Sequence, residues 1–305
     1  LPITLLHFSV YHFLFVLLFF KSKKRIMKRI LWALLALATV LTGCNGDEKQ
    51  AAEVLQRAET AYASGDFSLA KLRIDSIRNF YPEAFEVRKA GIRLMQQIDL
   101  SEQQKTLVYL DSMMQVKKAA FDELKGQFVL EKDTAYQEIG NYFYPTQVVE
   151  KNIGRSFLRA QVNEIGEMSL TSIYCAGGNI HHTAVKVSTD GDMFAETPAS
   201  PDSYETTDLG RAIEKADYKV GNDGGVAAFI VSNQDKKRIQ LEFLGDRNYR
   251  TVMQPNDVKA VVAISELARV LSVMEEIRKE QKEANLKIQF VKRKMEEAKH
   301  MEDPQ

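Results

Sequence analysis

Two cysteines and two adjacent histidines in this 305-residue sequence have side chains that could be chemically reactive or bind a metal. The cysteines are Cys44 and Cys175, and the histidines are His181 and His182. A thiolate acts as a nucleophile or a metal ligand, and a cysteine can also carry lipid. An imidazole acts as a general base or a metal ligand. The elements that hold these groups decide which of these roles each can fill.

The histidine pair alone does not predict a metal site. Adjacent residues on a strand point to opposite faces, so His181 and His182 cannot easily bind one ion. Cys175 lies six residues before His181. A Cys/His zinc site needs further converging ligands, which the sequence does not signal. We therefore predict no metal ligand.

Two glycine-containing acidic turns carry only weak motifs. Asp190-Gly191-Asp192 has the first residues of a calcium-binding loop but lacks its remaining oxygen ligands and its final glutamate. Asn222-Asp223-Gly224-Gly225 predicts a turn, because a phosphate-binding loop also needs a following lysine and a serine or threonine. The sequence contains neither Gly-x-Ser-x-Gly nor His-Glu-x-x-His. We predict no catalytic residue and no cofactor, and hence no enzyme.

Cys44 closes a segment with the organisation of a secretory signal. Met27-Lys28-Arg29 is basic, residues 30–40 are apolar, and small residues precede the cysteine in Leu41-Thr42-Gly43-Cys44. The segment resembles a bacterial lipoprotein signal, 27–43, with Leu-Thr-Gly-Cys as its lipobox. The resemblance implies that the Cys44 thiol takes a diacylglyceryl group, that the signal is removed and that the new amine is acylated. Two or more acyl chains hold a protein stably at a membrane.

A polar tether, 44–50, is expected next. Its acidic residues, Asp47 and Glu48, resemble the export signal of Bacteroidetes surface lipoproteins. The resemblance implies a lipid-anchored outer-membrane protein, and both a periplasm-facing and a cell-surface location stay open.

Residues 1–26 do not fit this organisation. Residues 1–20 are almost wholly apolar and long enough to cross a membrane. We interpret 1–26 as upstream sequence, with translation starting at Met27. The alternative is an N-terminal transmembrane helix, which would displace the lipoprotein interpretation.

Charge and cysteine content limit the partners of the remaining chain. The whole sequence has 41 basic and 41 acidic residues, and the six charges before Cys44 are all basic, which leaves 35 basic against 41 acidic residues and a net charge of −6. An acidic body argues against nucleic acid as a partner. With Cys44 lipidated, Cys175 has no disulfide partner, and its apolar neighbours predict a buried, inert thiol.

Residues 51–99 predict a helical hairpin followed by a third helix. Helical spacing of apolar residues covers 51–62 and 67–80, and Ser64-Gly65-Asp66 interrupts it. The positions of Gly65-Asp66-Phe67, Ala70 and Pro82 resemble one tetratricopeptide repeat. Stable arrays need about three or more repeats, so a generic helical hairpin without a ligand stays an open alternative.

Two further helices are predicted from heptad spacing, at 100–135 and 256–302. Lys117 and Gln281 are polar residues in these seams, and Asp257 is predicted to be the N-cap of the second helix. The apolar heptad positions are Leu100, Leu107, Leu110, Met114, Phe121, Leu124 and Phe128, and then Leu267, Val270, Met274, Ile277, Ala284, Ile288, Val291, Met295 and Ala298. We predict an antiparallel coiled-coil pair, and intermolecular coiled coils in a homo-oligomer are the alternative.

The region between these helices, 150–254, alternates with period two and predicts an antiparallel β head of about seven strands. One hairpin is expected around Asp190-Gly191, and another between 225–231 and 238–244. Residues 208–217 are expected to form a short helix.

Together these features predict an α+β fold with a tetratricopeptide-like hairpin, a coiled-coil stalk and an inserted β head. The expected function is interaction or scaffolding in the cell envelope, with an unknown protein or glycan as partner. An enzyme acting on envelope polymers and a subunit of an oligomeric envelope complex are the alternatives.

Overall fold

The computed structural model describes residues 44–190, 193–208 and 210–302. The predicted signal, 27–43, and the segment 1–26 lie outside these residues. Within them, no helix combines the length and the apolar composition needed to span a membrane. The chain divides into two units, whose described parts are 44–105 with 286–302, and 106–285.

The fold is mixed helix and sheet, as the sequence predicts. The helices are α1 (Cys44–Ala63), α2 (Phe67–Phe80), α3 (Phe85–Leu124), α4 (Val226–Ser232) and α5 (Pro255–Glu302). The strands are β1 (Val129–Glu131), β2 (Asn141–Phe143), β3 (Phe157–Asn163), β4 (Met168–Ala176), β5 (Ala184–Ser188), β6 (Phe194–Glu196), β7 (Ser203–Asp208), β8 (Arg211–Lys219), β9 (Gln240–Leu244) and β10 (Tyr249–Val252).

The first unit is a helical hairpin packed on the start of α3. Gly65 takes a left-handed φ of 81° in the turn between α1 and α2, a conformation that glycine adopts without strain. Asp66 then caps α2, since its carboxylate accepts a hydrogen bond from the Leu69 N–H group at 2.9 Å. The core contains Ala58, Ala61, Ala70, Ile74, Leu94 and Ile98. The two predicted helices and the turn between them are confirmed.

Helix boundaries differ from the predictions at two places. The expected tether, 44–50, is the beginning of α1, where Asp47 suits the positive end of the helix dipole. The first heptad helix does not reach residue 135, because α3 ends at Leu124 and a 3-10 turn containing Gly126 follows. The residues after that turn form β1, which pairs with β2. The β head therefore begins near residue 129 and not at 150.

In the second unit, α3 packs against α5 through some of the predicted heptad positions. The shared core contains Leu110, Met114, Val270, Met274 and Ile277. Gln281 Nε2 donates a hydrogen bond to Asp111 Oδ1 at 2.6 Å, so this seam residue bridges the two helices. Asp257 is not an N-cap. It is the third residue of α5 and forms a buried ion pair with Arg155 at 2.5 Å.

The β head consists of two antiparallel sheets with ten strands among the described residues. The six-stranded sheet has the order β1-β2-β3-β4-β8-β7, and the four-stranded sheet has the order β10-β9-β5-β6. Both sheets contribute to one core, which α4 and the first turns of α5 also join. Alternate residues of β3 and β8 are buried, as expected for strands with one face on a core.

Two predicted elements have the wrong type. Residues 208–217, expected as a helix, lie mostly in β8, whose inward positions include Glu214 as well as alanines and a tyrosine. Residues 225–231, expected as a strand, lie mostly in α4, where Val226 and Ile230 are buried one helical turn apart. The hairpin around Asp190 is confirmed, since β5 pairs with β6.

Candidate functional site

A chain of three buried polar side chains crosses the β head. Ser172 Oγ lies 2.8 Å from His182 Nε2, and His182 Nδ1 lies 2.8 Å from Glu214 Oε2. Ser172 is on β4, Glu214 is on β8, and His182 lies in the segment that leads into β5. A serine, an imidazole and a carboxylate follow one another in the order found in hydrolase triads.

The protonation states in this Ser–His–Glu chain follow from its surroundings. Burial lowers the pKa of His182, and its hydrogen bond with Glu214 only partly opposes that effect. Burial raises the pKa of Glu214, but hydrogen bonds from His182 and the backbone outweigh it and leave the pKa below its ordinary value. His182 is therefore neutral and donates from Nδ1 to an ionised Glu214. Its Nε2 accepts a hydrogen bond from the Ser172 hydroxyl group.

The solvent exposure of these three side chains determines whether they can act on a substrate. Ser172 is 0% exposed, His182 2% and Glu214 1%, so no substrate reaches the serine oxygen in this conformation. Glu214 also accepts backbone N–H groups of Ile180 at 2.6 Å, His181 at 3.0 Å and His182 at 2.8 Å. The carboxylate thus ties the segment leading into β5 to the other sheet. In this conformation the Ser–His–Glu side chains therefore have a structural role, which is to hold this segment against the six-stranded sheet.

Sequence reasoning missed this chain because its members are far apart. Ser172 and His182 are separated by 10 residues, and His182 and Glu214 by 32. In β8, Glu214 occupies an inward position between Ala212 and Ala216. This alternation could have indicated a buried carboxylate, but 208–217 was predicted to be a helix, in which the alternation has no meaning.

The adjacent His181 has a different environment. It is exposed, takes a φ of 52°, and its Nδ1 lies 2.9 Å from Glu205 Oε1, a contact that raises the pKa of His181. Ligand atoms of His181, Glu205 and Glu214 lie within 4.8 Å of one another, so these three could approach one metal ion. The two Glu214 oxygens already accept four hydrogen bonds, so coordination would displace donors from a buried carboxylate.

A cleft of about 860 Å³ lies in the β head. It lies where β3, β4 and β8 meet α4 and α5. Its polar lining includes Asn141, Asn163, Glu167, Ser169, Lys219, Asn222, Ser232, Ser265, Arg269 and Ser272, and Met168, Val220, Ala227, Ala228, Val231 and Ala268 provide apolar surface. A cleft of this volume can hold a small molecule or a segment of an oligomer.

The cleft depends on a close approach between the β3–β4 turn and α5. Gly166 has a φ of 86°, and a Cβ built on it would lie 2.2 Å from the Ser272 backbone nitrogen. Only glycine fits both the backbone conformation and the space.

The charged side chains that line the cleft have a net positive charge. The lining contains two basic residues, Lys219 and Arg269, and one acidic residue, Glu167. Lys219 and Arg269 form no ion pair with any described residue, and Glu167 accepts a hydrogen bond from Asn163 Nδ2 at 2.8 Å. The cleft can therefore receive an anionic group among amide and hydroxyl partners.

The remaining residues singled out in the sequence lie apart. Cys44 is the first residue of α1. Cys175 is half-buried rather than buried and has a free thiol. Asp190 follows β5, while Gly191 and Asp192 lie outside the described residues. In the 222–225 turn, Asp223 is buried and accepts the Ala227 N–H at 2.8 Å, so its carboxylate serves the start of α4.

No protein-family model matches the chain, and no curated protein and no solved structure shows significant similarity to it.

Proposed function

We propose that this protein is a lipid-anchored cell-envelope protein that binds an acidic glycan of the envelope, such as a peptidoglycan strand, in the cleft of its β head. The observation that supports this proposal is a cleft of about 860 Å³ in which two cations, Lys219 and Arg269, lie among amide and hydroxyl side chains and form no ion pair with any described residue.

The chemistry of the cleft matches that of such a polymer. Peptidoglycan presents hydroxyl, amide and carboxylate groups. Serine and asparagine side chains both donate and accept hydrogen bonds, and so pair with hydroxyl and amide groups. Lysine and arginine pair with carboxylates through stronger, charge-assisted hydrogen bonds.

The anchor is proposed on Cys44, from the lipobox resemblance of residues 41–44. We expect radiolabelled palmitate to enter the wild-type protein and the Cys175→Ala variant, because Cys175 lies outside that motif. The Cys44→Ala variant should take up no label and should leave the membrane fraction. Uptake of label by Cys44→Ala would contradict the anchor.

The helical elements are proposed to act as a scaffold. The apolar seam between α3 and α5 and the Gln281–Asp111 hydrogen bond support an antiparallel coiled coil within one chain. The Gly65 turn, the Asp66 cap and buried Ala70 support a tetratricopeptide-like hairpin.

Co-sedimentation with purified peptidoglycan sacculi tests the glycan proposal. We expect the detergent-solubilised full-length protein to sediment with sacculi. The double variant Lys219→Gln/Arg269→Gln should bind at least about tenfold more weakly, since charge-assisted hydrogen bonds contribute about 1.5–3 kcal/mol each.

The control removes two exposed charges elsewhere, Lys118→Gln/Arg238→Gln, and should bind as the wild type does. Equal binding by the cleft variant and this control would contradict the proposal.

A second candidate function is hydrolysis of an envelope polymer, which the order of the Ser–His–Glu chain favours. The complete burial of Ser172 places this candidate second.

A further inference from the structure

A second cavity, separate from the cleft, lies on the outer face of the six-stranded sheet. Its volume is about 190 Å³. Strand register sets its base: Arg159 on β3 is opposite Thr171 on β4, and Ile173 on β4 is opposite Lys215 on β8. Cys175 lies two residues further along β4 and also lines the cavity. We call this cavity the Arg159 pocket.

Arg159 is a partly buried cation that forms no ion pair with any described residue. Its Nε atom is buried and has no hydrogen-bond partner within the described part of the chain. One face of the guanidinium group lies over the Phe143 ring, with 5.0 Å from Cζ to the ring centroid. Desolvation lowers the pKa of Arg159, and Asp217 and Glu131 oppose this only through longer-range attraction. Asp217 instead accepts a hydrogen bond from the Thr171 hydroxyl group.

The other charges around the pocket leave it positive. Arg155 is neutralised by Asp257, which it contacts at 2.5 and 2.9 Å. Lys215 makes no ion pair with any described residue, and Asp208 is the one acidic side chain that lines the pocket. A buried guanidinium group costs free energy unless an anion pairs with it.

We propose that the Arg159 pocket binds a small organic carboxylate that carries a short apolar group. The planar guanidinium fork matches the two oxygens of a carboxylate. Phe157, Ile173 and Ile213 provide apolar surface for the remainder of the ligand. The small volume admits a short acyl chain and excludes larger ligands. This site does not depend on the glycan-binding cleft.

Titration of the detergent-solubilised full-length protein with sodium butyrate, with butyramide as the uncharged control, tests this proposal. Butyrate should bind and raise the melting temperature, and butyramide should not. Arg159→Gln and Lys215→Gln should each weaken butyrate binding by about tenfold or more. Arg238→Gln, which removes an exposed charge outside the pocket, should leave binding unchanged.

Alkylation of Cys175 provides a second measurement on the unaltered protein, so that the test does not depend on how the variants fold. Saturating butyrate should slow modification of the half-buried thiol, as mapped by mass spectrometry, and butyramide should not. The proposal would be overturned if butyrate failed to bind or if butyramide bound equally well. It would also be overturned if inorganic phosphate bound more strongly than butyrate, or if both pocket variants bound butyrate as the wild type does.

Discussion

Replacement of Glu214 by glutamine tests the assigned role of the buried Ser–His–Glu chain. The carboxylate accepts four hydrogen bonds, three from backbone N–H groups and one from the His182 ring. A glutamine side chain has one acceptor oxygen, which can keep two of these donors. Its amide nitrogen would face the other two, the His182 backbone N–H and the ring nitrogen.

The cost follows from those contacts. The ring can change tautomer and accept from the amide, but the His182 backbone N–H stays unpaired. A buried unpaired donor costs about 1–3 kcal/mol, and loss of charge from the retained hydrogen bonds adds about 1 kcal/mol. We therefore expect Glu214→Gln to lower the free energy of unfolding by about 3 kcal/mol, a large part of the stability of a typical domain.

Urea unfolding followed by circular dichroism at neutral pH measures this effect. Glu205→Gln is the matched control, because Glu205 also contacts a histidine but its side chain is 39% exposed. An exposed ion pair contributes about 0–1 kcal/mol. The reasoning is refuted if the two variants lose equal stability.

Four further predictions concern the same β head. Because burial lowers the pKa of His182, the unfolded state binds more protons at this residue below about pH 6.5, so this residue should lower the free energy of unfolding as pH decreases from 7 to 5. The measurement uses the Glu205→Gln variant, which lacks the contact that raises the pKa of His181 and would act in the opposite direction; a flat profile of that variant would contradict the neutral imidazole. The lowered pKa of Glu214 should add a second loss below about pH 4.5, which Glu214→Gln should lack. Gly166→Ala should destabilise the protein by about 2 kcal/mol or more in thermal unfolding, whereas Gly210→Ala, with a φ of 76° and no atom near a built Cβ, should cost less. A fluorophosphonate probe should leave Ser172 unlabelled in the folded protein, and labelling at that residue by mass spectrometry would support the hydrolase candidate.

The helical part of the fold could be predicted because its signals are local and periodic. Heptad positions such as Leu110 and Ile277 are buried in α3 and α5. The Gly65 turn was predicted from glycine and aspartate chemistry at a single point in the chain. In both cases the residues that specify the structure lie within a few turns of one another.

The β head was predicted less well, for two physical reasons. An apolar run as short as Val226–Ser232 fits a strand or a helix, and packing against the core decides between them. From the sequence alone, Glu214 in β8 is expected to be an exposed charge. It is buried because four hydrogen-bond donors surround it, and these come from residues 180–182, a separate segment of the chain. The cleft and the Arg159 pocket likewise assemble residues from several strands, so no local pattern could indicate them.

Hydrogen–deuterium exchange of the full-length protein with soluble peptidoglycan fragments tests the central claim, glycan binding in the cleft, most directly. The proposal predicts slower amide exchange at 166–169, which spans the end of the β3–β4 turn and the start of β4, and along 265–272 of α5. This protection should be lost in Lys219→Gln/Arg269→Gln. Unchanged exchange in both segments, or protection that persists in the double variant, would contradict it.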